Sequence, residues 1–274
     1  LYISYAVFSP IYYFFYQGSQ TRGRPYLFLK GASKFINYII SKNPGHAIDK
    51  DEKTAILFML VKLFFLPTMV NFFFENFGSF TRTLKDFEWY SSFLITIFTV
   101  DTLIFAVGYA FESSMLKSAV KSVEPTIFGW LVAIICYPPF NSQIGKFVPW
   151  GANDYVYFWS SSLTILIRIF IVSLLVIYLW ASIALGFKAS NLTNRGIITK
   201  FPYSLMRHPA YSSKVMAWWV TLLPVMSLKF ALGMAFWTVI YYFRATTEEK
   251  HLSQDKGYVE YCRKVKYKFV PFII

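Results

Sequence analysis

Charged residues are scarce in this chain, since only 15% of its 274 residues are Asp, Glu, Lys or Arg, whereas 56% are hydrophobic and 21% are aromatic. This scarcity argues against a soluble domain, which rarely has so few charges for so much apolar surface. Several apolar runs reach the roughly 20 residues that a helix needs to cross a ~30 Å hydrocarbon layer. The sequence therefore predicts an all-α polytopic membrane bundle of about six or seven transmembrane helices.

Cysteine is nearly absent, and the two that occur, Cys136 and Cys262, are too few and too far apart for a disulfide framework or a metal site. We therefore predict no bound metal. Internal repeats and low-complexity tracts are also lacking, which disfavours a transporter built from repeated halves. The first sixteen residues have neither a positively charged start nor a small-residue cleavage site, so we do not interpret them as a signal peptide.

Basic residues alternate along the chain between the predicted spans. The apolar runs predict spans at 1–16, 54–77, 90–111, 125–140, 156–187, 211–226 and 229–244. One set of alternate loops holds 20 Lys and Arg residues, and the other holds 4. The positive-inside rule then places in the cytosol the segments 17–53, 112–124, 188–210 and the C-terminal tail. Topology and anionic headgroups explain the net charge of +13, so we predict no nucleic-acid partner.

The sequence LMRHPAY, from Leu205 to Tyr211, places an arginine and a histidine where a polar loop enters the closing pair of apolar runs. Pro209 suits the first turn of a helix, where its missing N–H costs nothing. Because two helices of similar length carry the chain out and back, Arg207 and His208 should return to the same membrane face as RATTEEKHL, Arg244 to Leu252.

The mouth of this predicted hairpin should hold two carboxylates opposite the arginine and the histidine. On a helix, Arg244 and Glu248 share one face, whereas Glu249 points about 100° away. Taken singly, these residues are explained by a solvated helix face, a headgroup anchor or a helix cap. Taken together at membrane depth, they favour a functional polar pocket.

Two more charges, Asp101 and Arg168, lie near the middle of predicted spans, where an unpaired charge is costly. They could pair with each other. Such a pair would either be structural or recognise a polar headgroup.

The sequence NRGIITKFPYSLMRHPAY, followed by RATTEEKHL and then by DKGYVEYCRKVKYKFVPFI, resembles the isoprenylcysteine carboxyl methyltransferase family and its bacterial relatives. The superfamily includes phospholipid N-methyltransferases and, more distantly, sterol reductases. The resemblance covers roughly the last 85 residues. It divides the chain into 1–187, a transmembrane scaffold with the acceptor-side helices, and 188–274, a cofactor-binding loop, hairpin and tail.

The resemblance implies an S-adenosylmethionine-dependent methyltransferase that acts on a lipid or lipid-attached acceptor at the cytosolic leaflet. By position in the motif, it implies catalytic roles for Arg207, Arg244 and Glu248. It implies cofactor contacts from Tyr203, His208, Pro209, Tyr211, Glu248 and Glu249. Phe201 stands where the relatives often have glycine, a departure that bears on the approach to the cofactor.

Two other functions stay open at this point. The ending YVEYCRKVKYKFVPFII is also similar to the tails of NADPH-dependent sterol or polyprenoid reductases, although the glutamate pair argues against them. A non-catalytic membrane scaffold could also have kept the fold. The acceptor could be an isoprenylated cysteine carboxylate, an amine headgroup, a quinone-like phenol or a thiol. The motif variant favours a bacterial inner membrane, with the endoplasmic reticulum as the alternative.

Overall fold

The computed structural model describes residues 24–41, 48–85, 87–113, 115–148, 157–271 and 273. In these ranges the chain forms nine α-helices and one pair of very short antiparallel strands. The helices are α1 (Arg24–Ser41), α2 (Lys50–Thr83), α3 (Trp89–Ala110), α4 (Ile127–Ile134), α5 (Phe140–Ile144), α6 (Ser161–Leu185), α7 (Pro209–Leu222), α8 (Leu228–Leu252) and α9 (Lys256–Lys264). The strands are β1 (Ser122–Val123) and β2 (Thr193–Asn194). The predicted all-α bundle is confirmed.

Three helices in the described ranges, α2, α3 and α6, are long and apolar enough to cross a membrane. They correspond to the predicted spans 54–77, 90–111 and 156–187. Helix α3 packs against both α2 and α6, and α7 packs against α6. The predicted span 1–16 lies outside the described residues.

The prediction of one span over 125–140 is wrong. The chain there forms the short helix α4, turns at Pro138 and Pro139, and continues as the single-turn helix α5. Proline lacks the N–H that a continuing helix needs, so the paired prolines end the helical path. Helix α4 packs against α8 and fills part of the bundle without crossing it as one rod.

The predicted closing hairpin is confirmed as two consecutive helices in contact, but its arms differ in length and neither is among the three described helices that are long and apolar enough to cross a membrane. Helix α7 has 14 residues, or about 21 Å, and is extended by the 3₁₀ turn Leu223–Val225. Helix α8 has 25 residues and continues well past the predicted end of its span at residue 244. Residues 244–252 are therefore carried on the last turns of one continuous helix.

Helix α1 lies inside the segment that the charge pattern assigned to a cytosolic loop. Lys30 and Lys34 both form ion pairs with the buried carboxylate of Glu52, at 2.9 and 2.8 Å. Glu52 also completes a capping box with Asp49 at the start of α2. One acidic residue thus fixes both the start of α2 and the packing of α1 against it.

The segments predicted to share one membrane face meet at one end of the bundle, which we call the polar end. Arg24 lies 3.1 Å from Glu112, and Lys121 lies 2.9 Å from Asp255. The pairing of β1 with β2 joins the loop after α3 to the loop after α6. These contacts agree with the alternation of charge along the sequence.

Gly108 permits the closest approach in this region. A Cβ atom on Gly108 would collide with the backbone carbonyl of Ala189. The neighbouring Tyr109 hydroxyl accepts a 2.6 Å hydrogen bond from the N–H of Asn191. The absence of a side chain at residue 108 therefore allows the backbone of residues 189–191 to pack directly against α3.

We expect Gly108→Ala to destabilise the protein by about 1–3 kcal/mol, because backbone must move to admit the methyl group. Gly78→Ala is the matched control, since its Cβ would meet nothing within 4 Å and alanine favours a helix interior. Thermal unfolding in detergent measures both. Equal melting temperatures for the two variants would contradict the close approach.

Candidate functional site

The two arms of the hairpin meet at the polar end through two glutamates. The Tyr211 hydroxyl donates a 2.9 Å hydrogen bond to Glu248, and His208 Nε2 lies 3.1 Å from Glu249 Oε1. The rings of His208 and Tyr211 are stacked, with centroids 5.4 Å apart. The predicted meeting of the RHPAY and EEKH segments is therefore confirmed, with each glutamate bound to a different partner.

Glu249 is the centre of a charge cluster that also holds the C-terminal tail. Besides His208, its carboxylate contacts Arg207 Nε and Lys268 Nζ, both at 3.0 Å. The backbone N–H groups of Arg207 and His208 donate to the carbonyls of Tyr267 and Lys268, each at 3.0 Å. The tail is thus fixed against the loop before α7 by both charge and backbone hydrogen bonds.

This cluster lowers the pKa of Glu249. Burial acts to raise the pKa, but the hydrogen bonds and positive charges of His208 and Lys268 outweigh it, and the pKa falls from 4.5 to about 2. Glu249 is therefore a carboxylate at any physiological pH.

Arg244 lies deep in the hairpin and is only 6% exposed. Its guanidinium donates a 2.9 Å hydrogen bond to the Asn191 side chain and lies over the rings of Tyr137, Tyr211 and Tyr241. Neutral groups thus supply the contacts that fix it, and within the described ranges no carboxylate lies within 4.0 Å of it. A buried cation with this environment is suited to receive an anionic group.

Three adjoining cavities surround these residues. The membrane cavity, of about 340 Å³, runs from Glu248 to Asp101 between α2, α3, α6 and α7. The polar-end cavity, of about 100 Å³, is lined by residues of 185–261, including Lys188 and Tyr258. The side cavity, of about 40 Å³, lies beside Glu124. Glu248 lines all three, so it stands where they meet.

The structure brings most of the predicted site residues to these cavities. The membrane cavity is lined by Tyr203, Arg207, His208, Tyr211, Arg244 and Glu248. Pro209 and Glu249 line none of the three. Pro209 begins α7, as its position in the motif indicated, and Glu249 is turned toward the tail.

Asp101 and Arg168 do not pair. The hydroxyls of Tyr178 and Ser182 each donate a 2.5 Å hydrogen bond to Asp101, one to each carboxylate oxygen. The Arg168 guanidinium instead lies 4.6 Å from the ring centre of Tyr90. Asp101 lines the membrane cavity, whereas Arg168 lies at the other end of α6.

Sequence reasoning missed three residues of the site: Asn191, Lys214 and Lys268. Lys214 carried a signal, since it is a lone charge in an apolar run. Asn191 stood in an apparent glycosylation sequon, and Lys268 was one of many basic residues in the tail. Their roles depend on contacts between distant segments, which spacing along the chain does not reveal.

His251 connects β1 to α8. Its Nε2 atom lies 2.9 Å from the Ser122 hydroxyl, and its Nδ1 atom lies 4.0 Å from Glu124. Burial lowers the pKa of His251, and the negative charges of Glu124 and Glu248 oppose this effect only in part. The side chain is therefore neutral at pH 7 and serves as a hydrogen-bonding link beside the side cavity.

The fold and the site define a membrane-embedded helical protein whose closing hairpin presents charged side chains to adjoining cavities. Residues 163–257, from α6 into α9, match the phospholipid methyltransferase family. That family belongs to the superfamily that also contains the isoprenylcysteine carboxyl methyltransferases, so the resemblance is confirmed at the level of the superfamily. The match covers every residue for which the resemblance implied a role, and it indicates a membrane methyltransferase. No curated protein matches the chain.

We expect Glu249→Gln to weaken the attachment of the tail and to flatten the acid dependence of stability. A carboxyl whose pKa is lowered on folding stabilises the fold above its unfolded pKa, and this contribution is lost as pH falls from 4.5 toward 2. The wild type should therefore lose more stability than the variant on acidification through this range. Melting temperatures in detergent between pH 5 and pH 3 measure the difference.

The exposed Glu260, on α9, supplies the matched control as Glu260→Gln. Hydrogen exchange at residues 265–271 provides a second readout, and it should quicken only in Glu249→Gln. Parallel acid profiles for the wild type and Glu249→Gln would show that the cluster does not hold the tail.

Proposed function

We propose that this protein is an S-adenosylmethionine-dependent methyltransferase that modifies a lipid or lipid-attached acceptor in the membrane. The observation that carries the proposal is the position of Glu248, within the family-matched segment, where the polar-end cavity and the membrane cavity meet. An enzyme that transfers a group from a water-soluble cofactor to an apolar acceptor needs one cavity for each of them. The two cavities must also meet at the point of transfer.

The polar-end cavity has the chemistry that this cofactor requires. Arg207 and Lys188 offer cations to a carboxylate, and Glu248 offers an acceptor to an ammonium or a ribose hydroxyl. Tyr203 and Tyr258 offer aromatic faces to an adenine ring. We therefore assign cofactor contacts to Tyr203, Arg207, His208 and Glu248.

Pro209, Tyr211 and Glu249 support these contacts in different ways. Pro209 begins α7 and so fixes where His208 stands. Tyr211 orients Glu248 through its hydroxyl, and Glu249 holds His208 and Arg207 in place. Pro209 and Glu249 act only by positioning other residues, because neither lines one of the three cavities, whereas Tyr211 also lines the membrane cavity.

The chain's contribution to the reaction is positioning and charge complementarity. S-Adenosylmethionine supplies a methyl group on a positively charged sulfur, and in transfer the carbon–sulfur bond breaks as the acceptor's bond to that carbon forms. Arg244 stands in the membrane cavity beside Glu248, where it can hold and orient the acceptor's polar head. Aromatic rings exclude water around it.

The division of the chain follows from these cavities. Residues 185–261 line the polar-end cavity, whereas the membrane cavity also uses α2 and α3. We therefore propose 188–274 as the cofactor-binding part and 1–187 as the scaffold that shapes the acceptor site. Because the basic loops gather at the polar end, we propose that the site faces the cytosol of a bacterial inner membrane, or of the endoplasmic reticulum.

An NADPH-dependent reductase remains the second candidate, because one observation favours it. Lys188 lines the polar-end cavity, and Lys121 lies near it across Gly196. Two lysines at the opening could receive the extra phosphate of that nucleotide. A non-catalytic scaffold would bind neither cofactor.

Calorimetry on the detergent-purified protein tests the proposal with S-adenosylmethionine, S-adenosylhomocysteine and NADPH in parallel. We expect both methionine compounds to bind and NADPH not to bind. Glu248→Gln should weaken their binding at least tenfold, about 1.4 kcal/mol, because it removes the carboxylate at the junction. Glu260→Gln is the control and should bind like the wild type.

The melting temperature of each variant without ligand shows whether a loss of binding reflects a loss of folding. Binding of NADPH alone would replace the proposal with the reductase. If none of the three compounds binds, the result would favour the non-catalytic scaffold.

A further inference from the structure

Three lysines gather at the polar end, beside the polar-end cavity. Lys117 lies in the loop after α3, Lys121 immediately precedes β1, and Lys188 is the last residue of the 3₁₀ turn that follows α6. Lys188 is half-buried, whereas Lys117 and Lys121 are exposed. Lys188 is close enough to both of the others to be repelled by them electrostatically. None of the three is among the residues to which we assign cofactor contacts.

These lysines have too few counter-charges. Lys121 forms an ion pair with Asp255 at 2.9 Å, and the same carboxylate oxygen accepts a 3.2 Å hydrogen bond from the Asn194 side chain. Among the residues that the structure describes, no carboxylate lies within 4.0 Å of Lys117 or Lys188. One carboxylate for three ammonium groups leaves two positive charges without a counter-charge.

Gly196 leaves a space between two of these ammonium groups. Its φ of +95° lies in the left-handed region that favours glycine. A Cβ atom on Gly196 would lie 3.3 Å from Lys188 Nζ and 4.0 Å from Lys121 Nζ, so the two ammonium groups are at most about 7 Å apart. Because a charge-assisted N–H···O⁻ bond spans about 2.8 Å, two oxygens of one tetrahedral oxyanion can bridge them.

The position of Lys188 places this space at the level of lipid headgroups. Helix α6 is long and apolar enough to cross a membrane, and Lys188 follows its last residue, Leu185, by three positions. Basic residues directly after a membrane-crossing helix attract anionic lipids. A phosphate group at the bilayer surface is therefore within reach of the lysines, as is a phosphate dissolved in the aqueous phase.

We propose that Lys117, Lys121 and Lys188 bind a phosphate-type oxyanion above Gly196, supplied either by an anionic lipid headgroup or by a soluble phosphate. A phosphate monoester carries close to two negative charges at neutral pH, which matches the two charges that lack a counter-charge. Lys121 and Lys188 donate to the oxyanion directly, and Lys117 adds positive charge beside them. This role needs no nicotinamide nucleotide, and it does not rest on the proposed function.

Two probes test the site on the detergent-purified full chain, without added cofactor. The first is phosphatidic acid in nonionic detergent micelles, compared with phosphatidylcholine that has the same acyl chains. The second is inorganic phosphate, compared with chloride at equal ionic strength. Calorimetry measures the affinity of each. If a lipid supplies the oxyanion, phosphatidic acid should bind about tenfold more tightly than phosphatidylcholine, or more. If a soluble phosphate supplies it, inorganic phosphate should bind saturably where chloride does not.

Variants assign the binding to the lysines. Lys188→Met should weaken it about tenfold because a direct donor is lost, whereas Lys188→Arg should keep it. Lys264→Met is the matched control, since it removes one exposed charge at the end of α9, and it should bind like the wild type. Melting temperatures without the probes show whether each variant is folded. If Lys188→Met does not fold, Lys117→Met, in an exposed turn, provides the same test.

Each outcome supports or overturns the inference. Binding of either probe that depends on Lys188 supports the site and identifies the source of the oxyanion. The inference is overturned if phosphatidic acid binds no more tightly than phosphatidylcholine and inorganic phosphate does not bind. Binding that survives Lys188→Met, or that falls equally in Lys264→Met, would also overturn it, since the general charge of the polar end would then explain the result. Failure to bind S-adenosylmethionine would remove the proposed function and leave this inference in place.

Discussion

The interaction on which the site depends is the contact of one carboxylate, Glu249, with Arg207, His208 and Lys268. Two partners, Arg207 and His208, come from the loop before α7, and the third comes from the C-terminal tail. Because the cluster joins both arms of the hairpin to the tail, it fixes the mouth of the polar-end cavity. Glu248, one residue earlier, is thereby left to face the cavities.

The hairpin could be predicted from the sequence because it depends on helix geometry alone. Two apolar runs of similar length must return the chain to its starting face, and the 100° between successive residues separates the two glutamates. The prediction failed at 125–140, where apolar composition says nothing about how prolines redirect the chain. It also missed α1, whose packing against α2 depends on the ion pairs of Glu52 with two lysines of α1. The partners of Asp101 and Arg168 depended on which helices become neighbours, and a single sequence does not specify this.

Under the proposed function, the three cavities give one small bundle separate spaces for a polar cofactor and an apolar lipid. Residues of the closing hairpin lie where the cavities meet, whereas α2 and α3 line the inner part of the membrane cavity. The family match covers the hairpin and ends before the tail, and it begins after α2 and α3. The match therefore includes most of the residues that line the membrane cavity, whereas those that α2 and α3 contribute to it lie outside the match.

Asn191 links the wall of the membrane cavity to the buried guanidinium of Arg244. Its backbone N–H is bound to Tyr109, and its side chain donates to the Tyr137 hydroxyl at 3.1 Å while accepting from Arg244. Tyr137 is part of the wall of the membrane cavity. A ligand large enough to displace the Tyr137 ring would therefore disturb the Asn191 amide and, through it, the hydrogen bond that orients the Arg244 guanidinium. Under the proposed function, the shape of the acceptor would in this way affect the orientation of the charge that meets its head.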